Sequence, residues 1–379
     1  MRFQVWLVAF LAALSAVLPA PDARAVVPMP VTIKSIDLHD GMVLKDGSTY
    51  YLYGTEYGCG FRWLDARAPW CGFGVSTAPS PDGPWSPPRL LFPPDSTDPY
   101  SGLSWQQECV SAGCFNPRMV KRSGWGADDG VWVLWFNSPS DYNRNWANAY
   151  NVMGCNSPAG PCGPTAGAPY GSYRKPPLYS CYGNGDFGLA VDATSRSLVV
   201  ACTMPDSTLS VEQIDHWGTG SAGRGAAHLA ELDGVEAPGI WYEPATHSWF
   251  GTYSDPICGY CSGTATGYMT ADGPLGPWSA PVSLAVAGAP ERGRRDISAT
   301  SCGGQPRTVS VVDGQAWQGI DLWTGEANET RAGLHFEPLT YQPPRGTAGD
   351  GGLWHPPFAD FHCTDQRSAG QHGRRGDAR

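Results

Sequence analysis

Short alternating runs of apolar and polar residues recur along the chain, broken by Gly, Pro, Asn and Asp. "GMVLKDGSTYYLYGT" (41–55) holds two such runs around Asp46-Gly47, the pattern of a tight β-hairpin. "PRMVKRSGWGADDGVWVLWFN" (117–137) repeats it with a longer loop, and "FGLAVDATSRSLVVACT" (187–203), "GIWYEPATHSWFGTYSD" (239–255) and "RTVSVVDGQAWQGIDLWTG" (307–325) repeat it again. A second motif follows some of these hairpins. "VSTAPSPDGPWSPPRLLF" (75–92) and "YMTADGPLGPWSAPVSLA" (268–285) both read strand, Gly-Pro-Trp-Ser turn, apolar run, and "VMGCNSPAGPCGP" (152–164) is a degenerate third copy. Five hairpins about 50–70 residues apart predict an all-β, five-bladed β-propeller. The approximate blades are 36–97, 112–165, 185–230, 235–290 and 297–360. A two-sheet sandwich is the competing architecture, and the repeated Gly-Pro-Trp argues against it.

Composition supports this reading. The chain has 48 Gly, 35 Pro and only 16% charged residues, and long amphipathic stretches are hard to find. Its net charge of −10 argues against a nucleic-acid surface. Sixteen Trp and sixteen Tyr suit packed sheets or a groove that stacks the flat faces of sugar rings.

Residues 1–25 read as a secretion signal: Arg2, an apolar run from Val5 to Leu18, then Ala23-Arg24-Ala25 as a cleavage site. The run is short for a bilayer span, and a retained anchor is the alternative. The expected mature chain begins near Val26, is exported, carries the propeller over 26–363 and ends in a polar tail, 364–379. Twelve cysteines fit an oxidising compartment. Their spacing suggests Cys59–Cys71, Cys109–Cys114, Cys155–Cys162, Cys181–Cys202 and Cys258–Cys261, leaving Cys302 for Cys363, although spacing does not determine connectivity. "CGYC" (258–261) has a metal or redox site as its alternative, but no second Cys or His pair completes a zinc set.

In a propeller the first strand of each blade lines the central axis, so residues at its start converge. Asp40 precedes "GMVLKD", Asp186 precedes "FGLAVD" and Glu236 precedes "PGIWYE". Each alone reads as a turn carboxylate bonded to backbone amides. As an ordered trio on three blades they form a funnel of acids able to shift one another's pKa.

The same stretches resemble glycoside hydrolase family 43. "HDGMVLKDGSTYYLYGT" is similar to that family's opening blade, "GDFGLAVD" to its middle-blade acid motif, "EAPGIWY" to its Glu-Ala/Gly-Pro motif, "GPLGPWS" to its blade-four turn and "GIDLWTG…ANETRAGLHFEPL" to its closing blade, over roughly 36–342. The resemblance implies a five-bladed propeller that hydrolyses glycosidic bonds with inversion. It implies Asp40 as general base, Asp186 as the acid that orients and tunes, and Glu236 as general acid. Inversion requires a protonated carboxyl on the leaving oxygen and a carboxylate activating water on the opposite face, about 6.5–9.5 Å away. The chain departs from the family at Gly41, where many relatives have Pro; Gly is expected to loosen the backbone of the base. Asp37 competes for the role of Asp40.

Substrate contacts are expected from Arg118, Asn137, Tyr253, Gln305 and Arg307, at strand starts or ends on the same side. Asp255, His39 and His355 are weaker candidates. Among the aromatics Tyr57, Trp63, Trp135, Trp146 and Tyr253, one or two are expected to stack a sugar and the rest to pack blades. No cofactor is required. The resemblance leaves room for a structural calcium ion near the axis, though no calcium-loop pattern is present and no metal ligands are assigned. The expected substrate is a poly- or oligosaccharide of the cell wall, losing terminal arabinofuranosyl, xylosyl or galactosyl units to a monomeric enzyme. No nucleic-acid partner is expected, and no membrane partner once the signal is removed. The alternatives are a retaining propeller glycosidase, with carboxylates about 5–5.5 Å apart, and a carbohydrate-binding propeller without hydrolysis.

Overall fold

The structure, a computed structural model, describes residues 30–121, 132–139, 149–163, 173–183, 185–192, 197–280, 296–342 and 358–363. The expected secretion signal (1–25) and expected tail (364–379), Trp146 and His355 lie outside them. The described chain folds into five four-stranded antiparallel sheets with one short helix, Trp105–Glu108. The first blade comprises β2 (Val43–Asp46), β3 (Thr49–Thr55), β4 (Phe73–Ala78) and β5 (Arg89–Leu90), and the second β6 (Phe115–Lys121), β7 (Trp132–Asn137), β8 (Tyr150–Cys155) and β9 (Tyr173–Arg174). The third comprises β10 (Phe187–Asp192), β11 (Ser197–Thr203), β12 (Leu209–Ile214) and β13 (Ser221–Ala226). The fourth comprises β14 (Glu236–Glu243), β15 (Ser248–Asp255), β16 (Ala265–Ala271) and β17 (Asp296–Ser298). The fifth has β18 (Gln305–Val312), β19 (Gln315–Leu322) and β20 (Gly333–Pro338), with β1 (Val31–Ile33) as its outer strand.

The outer strands of blades two and four, Tyr173–Arg174 and Asp296–Ser298, lie past the expected blade bounds, and the outer strand of blade five is a further correction. Val31 pairs with Phe336 and Ile33 with Leu334, so the start of the chain closes the ring upstream of the expected first blade. Three residues are too few to show an alternating pattern, which is why the sequence hides this strand.

Apolar side chains form five clusters, one at each seam between blades. Tyr53, Phe73, Met119 and Phe136 fill the seam of blades one and two, Trp135 and Val200 that of two and three, and Val211 and Ile240 that of three and four. Trp241 and Val309 join blades four and five, and Val43 and Trp317 join five and one. Sheets buried on both faces need apolar residues on both, so several strands read as near-continuous apolar runs, such as "WVLWF" in β7.

The Gly-Pro-Trp turn and its degenerate copy occupy equivalent places, after the third strands of blades one, two and four. Gly83–Pro84, Gly160–Pro161 and Gly276–Pro277 are all cis, and their glycines have φ of +98°, +78° and +94°. All six disulfides follow the spacing-based pairing, Cys258–Cys261 and Cys302–Cys363 included. Gly41 has a different role from the one expected. A Cβ there would sit 1.6 Å from the Tyr53 carbonyl oxygen, so glycine permits a tight backbone approach rather than loosening the chain.

Candidate active site

First strands of neighbouring blades pack together around the axis, and the mouth at their N-terminal ends is a cleft of about 400 Å³. Asp40, Asn116, Asp186, Glu236, Gln305 and Arg307 line it, one or two from each blade, together with Asn137 and Asp321. Three first strands open on a β-bulge here: between Phe115 and Arg118, Glu236 and Gly239, and Pro306 and Val309. A bulge re-aims the side chains beside it, and Asn116 and Ala237 carry positive φ (60° and 53°) as part of that distortion.

Glu236 begins β14. Its Oε1 accepts hydrogen bonds from the Cys258 main-chain N–H and from Gln305 Nε2, both at 2.8 Å. Gln305 is held by Trp323, whose Nε1 donates to its Oε1 at 2.8 Å, and Gln305 Nε2 also reaches the Cys258 carbonyl at 3.0 Å. Both donors to Glu236 fall on one oxygen. Burial, followed by the negative charge of Asp186, raises its pKa to about 8 against these two bonds.

Asp186 precedes β10. Its Oδ1 accepts from Asn116 Nδ2 at 2.7 Å, and Asn116 Nδ2 also meets Asn137 Oδ1 at 3.1 Å. Burial raises the Asp186 pKa, opposed by the Asn116 bond and by Arg118. Asp40 adopts φ +55°, and its N–H donates to Asp321 Oδ2 at 3.2 Å. Burial holds the Asp40 carboxyl well above the usual aspartate range; Asp321 and Asp186 add to the effect, and Thr55 and Arg307 oppose it more weakly.

The trio expected from the sequence therefore meets in one cleft, and Asn137, Gln305 and Arg307 line it as expected. Arg118 is corrected. It is 1% exposed and does not line the cleft; it lies beneath, donating to the Asp40 carbonyl, to Phe187 O at 3.1 Å and to Asn116 Oδ1 at 2.8 Å. It ties three blades together under the site rather than reaching a ligand. Tyr253 is corrected too. It is fully buried in the seam between blades three and four, its ring packed on Gly267, because its place in β15 points it away from the mouth.

Of the other aromatics, Trp63 lines the cleft and is 42% exposed, whereas Tyr57 and Trp135 are buried. Tyr57 lies behind the wall, its hydroxyl 2.9 Å from that of Tyr260. His39 is buried between the Tyr57 and Trp323 rings, 3.4 Å from Asp37, and Asp255 lies off the cleft. Asp37 accepts the N–H groups of Tyr57 and Gly58, so it caps a turn and does not compete with Asp40.

Sequence reasoning missed Asn116, Asp321, Tyr260 and Trp323. Asp321 had a readable signal, a lone acid inside the apolar run "QGIDLW". The one group of metal-type donors among the described residues is Cys302, His335 and Glu337, away from the cleft. Cys302 is committed to its bridge with Cys363, and His335 is bonded to Glu337 at 2.7 Å, so the set does not suit an ion.

No protein-family model and no curated protein matches the sequence. Solved structures do match the fold. A variant of the exo-β-1,3-galactanase from Phanerochaete chrysosporium, crystallised with β-1,3-galactotriose, superposes with a TM-score of 0.58 at 17% identity, covering 82% of this chain and 64% of its own. An exo-β-1,3-galactanase from Clostridium thermocellum gives 0.57 at 16%, covering 82% and 63%. A family 43 β-1,3-galactosidase bound to galactodeoxynojirimycin gives 0.56 at 16%, covering 86% and 96%. The chain thus has the five-bladed propeller fold of family 43 glycosidases, and it spans about two thirds of the length of the two galactanases.

Proposed function

We propose that the chain is an exported glycoside hydrolase that releases terminal sugars, galactose foremost, from a cell-wall oligo- or polysaccharide with inversion. One observation carries this reading: Glu236 is a cleft-lining carboxyl whose pKa burial and Asp186 raise to about 8. A half-buried glutamate with few donors, beside another acid, is costly to ionise, which suits a proton donor near neutral pH.

In the reaction, Glu236 gives its proton to the glycosidic oxygen as that bond breaks. Water attacks the anomeric carbon from the opposite face, and Asp40 takes the water's proton. Burial, with the charge of Asp186, holds Glu236 protonated, and Asn116 orients Asp186. Gln305 and the Cys258 amide fix the Glu236 carboxyl in place. The structural neighbours, galactanases and a galactosidase, favour galactose over arabinofuranose or xylose. The six disulfides favour an oxidising, extracellular setting for the working protein.

The test is incubation with β-1,3-galactotriose and with aryl galactopyranosides, galactofuranosides, arabinofuranosides and xylosides, the first-formed anomer being followed by proton NMR. Galactose appearing first as the α anomer from a β linkage supports the proposal. First appearance as the β anomer indicates a retaining enzyme with Asp40 as nucleophile. Sugar binding without turnover across the panel leaves the binding-propeller reading.

A further inference from the structure

The geometry points to Asp321 as the positioning residue for Asp40, holding its main chain and setting the charge its carboxyl faces. The inference deepens the proposed function, resting on the base role of Asp40 given there. Asp321 is set apart from the other acids of the cleft by its origin: it comes from β19, the second strand of blade five, whereas the others stand at or before first strands.

Both of its carboxylate oxygens are committed. Oδ1 accepts from Arg307 Nη1 at 3.1 Å and Oδ2 from the Asp40 main-chain N–H at 3.2 Å. Arg307 is thus the cation paired with Asp321, and both side chains are buried. The Asp321 backbone is itself locked, since it pairs with Gln305 and a Cβ on Gly304 would sit 2.4 Å from its carbonyl oxygen.

At Asp40 the main chain is held from both sides. Asp321 takes its N–H, Arg118 donates to its carbonyl, and the next residue, Gly41, is pressed against Tyr53. Those bonds secure a left-handed conformation that is uncommon outside glycine, though aspartate tolerates it better than most residues. The ionisable groups around the Asp40 carboxyl are Asp321 and Arg307 from blade five, Asp186 from blade three, Arg118 from blade two, and Tyr57 and Tyr260 from blades one and four. Asp321 is the strongest charged influence among them, and it disfavours ionisation of Asp40. Burial is the largest influence on that carboxyl, and Arg307 acts in the opposite sense to Asp321, so the pair adjusts the pH at which Asp40 becomes able to accept a proton.

Two substitutions of opposite sign test this. Asp321→Asn keeps an acceptor for the Asp40 N–H but removes the charge. Arg307→Gln keeps a donor for Asp321 but removes the compensating cation. Carbon-13 NMR titration of the Asp40 carboxyl in the full chain should move to lower pH in Asp321→Asn, by about one pH unit, a tenfold change in its acidity. It should move to higher pH in Arg307→Gln. The acid limb of kcat/KM should follow in the same two directions. Coincident Asp40 titrations in wild type and both variants, or in wild type and whichever variant folds, overturn the inference. The NMR titration does not depend on turnover, so a wild type that hydrolyses no glycoside removes the proposed function and still leaves Asp321 tested.

Discussion

Glu236, half-buried at the cleft, and Glu337, fully buried, are both glutamates on propeller strands, yet their surroundings pull them in opposite directions. Glu337 lies in β20, and each of its oxygens is satisfied. Oε2 meets His335 Nε2 at 2.7 Å, and Oε1 accepts the His362 N–H at 2.7 Å and lies 2.9 Å from His362 Nδ1. Burial works against ionisation there, but these bonds outweigh it and bring the pKa below the usual glutamate value. Glu212, also fully buried, accepts three successive main-chain N–H groups, from Tyr179, Ser180 and Cys181. Glu236 receives two donors on one oxygen and faces Asp186. Burial alone therefore does not distinguish the proposed proton donor from the structural acids; what separates them is how many donors reach the carboxylate and which charge stands next to it.

The sharpest test of that contrast is the pair Glu236→Gln and Glu337→Gln. Glu236→Gln should lower kcat by about 10²–10⁴-fold with little change in KM, measured by steady-state hydrolysis, and should retain sugar binding by calorimetry. A variant that keeps full turnover would dismiss Glu236 as the acid. The second effect in size is on stability. A carboxyl whose folded pKa is raised destabilises the fold once pH exceeds its ordinary value, so Glu236→Gln should raise Tm at pH 7. Glu337 has the reverse sign. Its folded pKa is lowered, so its stabilisation is present above the ordinary glutamate value and is lost as pH falls through the lowered one. Glu337→Gln should lower Tm by a few degrees at pH 7, the consequence of leaving buried donors unpaired at about 1–3 kcal/mol, and should flatten the loss of Tm in acid.

A third effect concerns rate against pH. In the proposed role Glu236 must be protonated to act, so activity should fall as pH rises past about 8. Asp186→Asn removes the charge that raises that value, and the alkaline limb of kcat/KM should then move to lower pH. The smallest effect is expected at the mouth. Trp63→Ala removes an exposed ring that stands edge-on to Tyr260, with centroids 5.5 Å apart. It should raise KM for oligosaccharide by about fivefold, the scale of one aromatic contact of about 1 kcal/mol, without changing Tm.

Much of this was legible in the sequence because it was local. Alternation and Gly-Pro turns marked the hairpins, and five of the six disulfides join cysteines no more than 21 residues apart. The acid trio was readable because its members stand at strand starts, where a propeller gathers its chemistry. Side-chain direction inside a strand was less readable. Tyr253 and Arg118 were assigned to the cleft by their nearness to strand ends, and the fold turned one into a blade seam and the other beneath the floor. Asp321 and Asn116 reach the cleft because of a second strand in one case and a bulge in the other, and neither follows from strand order.

Because β1 supplies the last strand of blade five, the integrity of that sheet depends on where the chain is trimmed. A cut upstream of Val31 leaves the ring intact. A cut a few residues later would strip β20 of its neighbour and bare the main-chain donors and acceptors along Leu334 to Phe336. Such an edge invites pairing with another molecule, so proteolysis at this one seam would turn a closed ring into a seed for self-association.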